Sequence, residues 1–321
     1  MRLESLMKTA VPAPTRYNAA RPRLAAITGT FTTMRFPTIL LLVALALPGV
    51  PTPARAAESY ASCKHVISKL PLTLSSPGSW CLKSSLAADA SIAKAIVIAA
   101  DNVVLDCNHF TIAGAAGASG TNIGIYGLNR YNTTVRHCLV QSFKTGMYLQ
   151  SSTGGGGHVV EDNHFDANTA IGIRVDGAGS VVRRNVVTST GGTSSQINGY
   201  GIYSNGAVDF IDNTIDFVTT SSNNGSGYGI YTSGNGGGTI EGNRISQIAA
   251  GNLGKSYGIY NDTSGHVTIR RNDLLDSADA VGATIALTCT NAKGRAVDNV
   301  MVGWKTGLAG CGDAGGNDIS Q

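Results

Sequence analysis

The sequence is short of charge, of proline and of long apolar runs, and each shortage excludes something. Charged residues make up 14% of the 321 residues, little more than half the share of about 25% in an ordinary globular domain. Only 9 prolines accompany the 41 glycines and no Gly-X-Y period joins them, so a collagen-like triple helix is excluded. Disorder is excluded too, because a chain that is 42% hydrophobic with little net charge buries enough apolar surface to offset its ordering entropy. The one apolar run, Thr38 to Leu47, falls well below the roughly 20 residues of a membrane-spanning helix. Neither Cys-x-x-Cys nor His-x-His occurs, which speaks against a dedicated transition-metal site. What remains is a β protein rich in Gly, Ser, Thr and Asn.

The apolar run reads as the core of a signal peptide. Met34-Arg35 supplies the positive start, and Ala54-Arg55-Ala56 offers a small-x-small cleavage site before Ala57. Residues 1–33 read as a long leading segment or as sequence ahead of a true start at Met34. The expected division is therefore a leader over 1–56, with the signal in 34–56, an N-terminal cap over 57–90 and a repeat domain over 91–321. The leader holds seven of the 24 basic residues and one of the 20 acids, leaving 17 bases against 19 acids and a net charge of −2. Nucleic-acid binding thereby loses its electrostatic basis. Export to the periplasm or the outside is expected, with no membrane span after cleavage. All six cysteines lie in the exported part, where disulfides form. Cys63/Cys81 and Cys289/Cys311 suit staples at the two ends, whereas Cys107 and Cys138 fit either a bridge or stacked thiols.

Two repeated elements organise the rest. Tyr200-Gly-Ile-Tyr203 recurs at Tyr228–Tyr231 and Tyr257–Tyr260, with looser copies ending at Tyr126, Tyr148 and Arg174. The second element sets Asn three residues after one apolar residue and two before another: Leu105-Asn108-Phe110, Val160-Asn163-Phe165, Val182-Asn185-Val187, Phe210-Asn213-Ile215, Ile240-Asn243-Ile245 and Ile269-Asn272-Leu274, with Cys138 in the Asn place between Val135 and Val140. Successive positions of this column lie 22 to 30 residues apart. A constant coil of about 22 residues with variable loops is the mark of a solenoid in which each repeat is one turn. The apolar columns then point inward and stack at about 4.8 Å per coil, while the Asn column, tolerant of left-handed backbone, caps a bend and pairs along the stack. Two residues before the Asn, Asp106, Arg136, Glu161, Arg183, Ile211, Glu241 and Arg270 alternate in sign apart from Ile211. An exposed ladder of ion pairs is expected there.

Across about residues 66–319 this pattern resembles the right-handed parallel β-helix proteins of the pectin-lyase-like fold. Pro77-Gly-Ser-Trp-Cys-Leu82, followed by Ala100-Asp-Asn-Val-Val-Leu-Asp106, is similar to the start of the first coil in that superfamily. The resemblance implies a single all-β solenoid of about eight coils. It also implies an activity on acidic polysaccharides, since family members are often lyases, hydrolases or epimerases. Their catalytic sets are missing: there is no Asp-Asp pair, no Asp-Pro-His-Asp and no Arg-x-Pro-x-x-Arg, and Gly265-His-Val267 lacks the last glycine of Gly-His-Gly.

Three groups of residues carry the candidate chemistry. Tyr126, Tyr148, Tyr203, Tyr231 and Tyr260, two residues after each Gly, form an outward stripe, either an aromatic ladder covering the strand or a platform for sugar rings. Loops over 188–199, 218–227 and 247–256 enter just before its last three members. Arg174 and Asp176 share that face as an acid–base candidate or a surface ion pair. His109, His137, Glu161, Asp162 and His164 gather near the Asn corner of the first coils, where the catalytic candidates are His109, Glu161 and His164. The leading expectation is polysaccharide binding along the tyrosine face. A polysaccharide-active enzyme is the alternative, and a periplasmic metal-accessory protein, as in β-helix proteins associated with copper enzymes, the third. No cofactor or metal is expected, with calcium left open though no motif supports it.

Overall fold

The computed structural model describes residues 63–320, apart from 116–121, 153, 193–197 and 277–281. The expected leader lies outside them. Among the described residues the chain forms no helix and runs repeatedly through three parallel sheets of 11, 10 and 10 strands. One coil shows the order: Ser180–Arg183 lies in the first sheet, Val186–Gly191 in the second and Gly199–Asn205 in the third, before Val208–Ile211 returns to the first. The protein is a parallel β-solenoid of about eight coils, as the repeat predicts. The strands His65–Ile67, Leu72–Leu74, Gly78–Leu82 and Leu86–Ala87, within the expected cap, join the same sheets at their N-terminal ends.

Identical columns stack in register because each strand pairs with the strand one coil away. Val182, Phe210, Ile240, Ile269 and Ala296 are successive partners, as are Ile173, Ile202, Ile230 and Ile259. All are essentially inaccessible to solvent, so the core is one continuous apolar column. In the tyrosine repeat both Gly and Ile face inward, which breaks strict alternation and turns both tyrosines outward. Only glycine fits there: a Cβ on Gly201 would stand 2.6 Å from Ile215 Cγ2 and 2.7 Å from the Gly229 carbonyl oxygen.

The Asn column forms a buried ladder. Asn213 Nδ2 donates to the Val182 carbonyl and to Asn243 Oδ1, both at 2.9 Å, while its own Oδ1 accepts from the Asn185 amide at 3.1 Å. The pattern repeats from Asn163 to Asn299 and ends on Asn317. Asn108 carries a left-handed φ of 48° itself, but at every later copy the left-handed residue is the one before the Asn. His137, Asp162, Arg184, Asp212, Gly242, Arg271 and Asp298 carry φ between 51° and 66°, because the bend must be made by a residue whose side chain points out, leaving the Asn to point in. The first coil departs from the column: Ile112, not Phe110, pairs with Val140 and is buried. Two extra residues in its turn push Phe110 aside.

The charge ladder forms as expected, with Asp106–Arg136 at 2.8 Å, Glu161–Arg183 at 2.7 Å and Glu241–Arg270 at 2.7 Å. All six cysteines are paired: Cys63–Cys81, Cys107–Cys138 and Cys289–Cys311. The alternative of stacked thiols at Cys107 and Cys138 is thereby corrected; the side chains meet across adjacent coils with Cα atoms 4.7 Å apart.

Candidate functional site: a tyrosine-covered sheet

The third sheet carries the tyrosines, in two columns rather than one. Tyr203, Tyr231 and Tyr260 are register partners, and so are Tyr200, Tyr228 and Tyr257. The second column escapes a reading by alternation, since an odd separation would place it on the other face. Its signal is the invariant Tyr-Gly-Ile-Tyr spacing, with glycine unable to occupy an outward place usefully. Within each column the rings are parallel to within 4–7°, with centroids 5.0–5.3 Å apart. Between columns they meet edge to face at 4.8–5.6 Å. Nine such pairs, each worth about 0.5–1.5 kcal/mol, make the cluster a rigid, self-supporting layer.

This geometry changes what the layer offers. The rings lean on one another and most are only partly exposed, so the row offers its hydroxyls to solvent at a fixed repeat. Burial raises the pKa of Tyr200, Tyr257 and Tyr260, pushes Tyr228 up to about 12 and holds Tyr231 higher still; the hydroxyls stay neutral, each able to donate and accept. Asn198 Nδ2 donates to the Tyr200 hydroxyl at 3.1 Å. Among the described residues the hydroxyls of Tyr203, Tyr231, Tyr257 and Tyr260 have no partner in the chain.

Toward the N-terminus the stripe continues with cations. The Arg174 guanidinium lies 4.2 Å from the Tyr148 ring centre and 4.4 Å from that of Tyr203, and Lys94 Nζ lies 3.6 Å from that of Tyr126. Arg174 also donates two hydrogen bonds to Asp176, at 3.1 and 3.3 Å, and Asp176 Oδ1 accepts from the Asn205 amide at 3.0 Å. Asp176 is 2% exposed, and burial raises its pKa against the pull of Arg174. The pair is spent on holding the ladder together. Asp262 sits beyond Asn205 and Ser233 in the column of Asp176 and accepts from Thr290 Oγ1 at 2.6 Å; the two carboxylates do not converge. Loops 220–226 and 249–254 stack on one another through Gly251 N–Gly225 O and Leu253 N–Asn223 O bonds, ahead of Tyr228 and Tyr257.

The histidine group comes together only in part. His109, His137, Asp162, His164 and Arg184 line an open cavity of 420 Å³, with the His109 and His137 rings 4.9 Å apart. Glu161 does not line it. Arg184 reaches both Asp162, at 2.7 Å, and Glu161, at 3.0 Å, and holds the Asp162 carboxyl below the usual carboxylate range. His164 Nε2 is 3.1 Å from Thr188 Oγ1, which donates to Asp166.

A family model described as periplasmic copper-binding protein (NosD) matches residues 85–292. The chain belongs to the NosD family. No curated protein matches it. Among solved structures it is similar to the catalytic unit of the thermostable GH87 alpha-1,3-glucanase from Streptomyces thermodiastaticus strain HF3-3, at 16% identity and a TM-score of 0.44 over 79% of this chain and 62% of that one. It is also similar to the Dettilon tailspike protein (gp208), at 17% identity and 0.41 over 78% and 56%, and to the mannuronan C-5 epimerase AlgE6 A-module of Azotobacter vinelandii, at 12% identity and 0.32 over 76% and 91%. The chain thus spans less than two thirds of the first two.

Among the described residues of this NosD-family chain the donors do not make a copper site, and the histidines around the corner cavity do not gather into one. Copper favours thiolate, thioether and imidazole, yet every cysteine is in a disulfide, and Met147 and Met301 are fully buried in the core. His65 stacks on Trp80, and His158 is buried and accepts from the Thr133 amide. Among the described residues no three of His, Cys, Asp and Glu come together as a metal site.

Proposed function

We propose that the protein is an exported β-helix protein that binds a polysaccharide along its tyrosine-covered sheet. The observation that carries this reading is the row of outward hydroxyls of Tyr203, Tyr231 and Tyr260, which have no partner among the described residues and are held at fixed spacing by rings that stack on one another. Pre-ordered hydroxyls cost little entropy on binding and match the hydroxyls of a sugar chain. Binding is favoured over catalysis because Arg174 and Asp176, the acid–base candidates on this face, neutralise each other. Export agrees with three disulfides, with the signal-like leader and with a family described as periplasmic. The family description also favours a second reading, an accessory role beside a copper protein, in which this chain would act by contact rather than by holding the metal.

A glycan array with the cleaved protein tests the proposal. The wild type is expected to bind, and a Tyr203→Phe/Tyr231→Phe/Tyr260→Phe variant to lose at least tenfold in affinity at an unchanged melting temperature. Absence of any glycan binding by the wild type, or an unaffected triple variant, overturns it. Release of new unsaturated or reducing ends from a bound glycan would move the reading to the enzyme.

A further inference from the structure

The spacing and charge of the tyrosine sheet narrow the ligand, on the reading that this sheet is a glycan site. The rings repeat at 5.2 Å from Tyr203 to Tyr231 and 5.3 Å from Tyr231 to Tyr260, and at 5.0 and 5.1 Å along Tyr200, Tyr228 and Tyr257. A pyranose chain linked through equatorial bonds at C1 and C4 is an extended ribbon that advances by nearly the same length per sugar. α-1,4-Linked glucose, axial at C1 but equatorial at C4, curls instead and loses step with a straight ladder. The three strands Gly199–Asn205, Gly227–Gly234 and Lys255–Thr263 contain one cation, Lys255 at a strand end, and one anion, Asp262. The nearest other cation on the face, Arg174, is already compensated by Asp176. A polyuronate would therefore bring a carboxylate per sugar to a surface without matching positive charge, and would pass Asp262 on the way.

We infer that the ligand is a neutral, β-1,4-linked polysaccharide lying parallel to the solenoid axis, one sugar per coil, each sugar sharing a hydrogen bond with a tyrosine hydroxyl of that coil. The polar column beside the rings, Asn205, Ser233 and Asp262, supplies further acceptors and donors at the same repeat. This differs from the acidic substrates that the β-helix resemblance implies.

Titration calorimetry with oligomers of increasing length tests the inference, using β-1,4-linked glucose, α-1,4-linked glucose and α-1,4-linked galacturonate. The expected result is that the β-1,4 glucose series binds at least tenfold more tightly than the other two and gains affinity with each sugar until the tyrosine coils are covered. Tyr203→Phe, Tyr231→Phe and Tyr260→Phe should each lower affinity for the longest member by a similar factor of about three to ten, the worth of one hydrogen bond. If the galacturonate or the α-linked series binds equally or better, and still loses affinity in the Phe variants, the inference falls while the tyrosine site stands. If none of the three series binds, or the Phe variants bind unchanged, the site itself falls and the inference with it.

Discussion

Two ladders run along this solenoid, and they differ in what they leave unspent. The asparagine ladder at the corner between the first and second sheets is buried, and each amide gives its hydrogens to a carbonyl and to the next asparagine while its oxygen takes a backbone amide. Nothing is left over for a ligand. The tyrosine ladder on the third sheet satisfies its rings by stacking, yet among the described residues leaves the hydroxyls of Tyr203, Tyr231 and Tyr260 without partners at the surface. Repetition alone therefore says only that coils stack; remaining polar capacity separates scaffold from candidate site.

The largest test of this contrast lies in the buried ladder. Asn213→Ala should orphan the Asn185 amide and the Val182 carbonyl, both buried, and cost about 3 kcal/mol or more at roughly 1–3 kcal/mol per group. Urea unfolding measures it, and a loss under about 1 kcal/mol would mean that water takes over the freed groups. His158 is the next largest. Burial lowers its pKa from 6.5 to about 4, so between those values the unfolded chain takes up a proton that the folded chain excludes. Stability should fall as pH drops from about 6.5 to 4, by about 3 kcal/mol in all. A His158→Gln variant should lose less on acidification, whatever its stability at neutral pH; an identical pH profile would contradict this.

At the surface the effects shrink. Tyr231→Ala removes four aromatic pairs and should cost about 2 kcal/mol or more, at the low end of about 0.5–1.5 kcal/mol per pair for so exposed a layer, while Tyr231→Phe keeps the rings and should cost less than about 0.5 kcal/mol. A large penalty for the Phe variant would show that the hydroxyl is structural. The smallest change is expected at the charge ladder, where Glu241→Gln breaks its bonds to Arg270 and Arg271. With arginines 43% and 59% exposed, the loss should be about 0–1 kcal/mol and should fade in salt.

The solenoid, its inward columns and the stacking register were legible in the sequence, because parallel in-register stacking forces every coil to repeat the same apolar and asparagine positions. Deviations at Phe110 and at the left-handed corner were not, since the length of one turn and the residue that bends it depend on which side chain must reach the interior. The outward place of Tyr203, Tyr231 and Tyr260 followed from the repeat. That Tyr200, Tyr228 and Tyr257 join them, and that the rings stack in two columns, was decided by the three-dimensional fold, where a Gly-Ile pair turns inward together and neighbouring rings come within stacking distance. Likewise Arg174, Asp176 and the histidines were visible as residue types that can do chemistry. Arg174 and Asp176, two residues apart, were readable as a pair; only the tertiary structure placed the guanidinium between the Tyr148 and Tyr203 rings and the His109 ring beside His137, contacts between coils that no local pattern records.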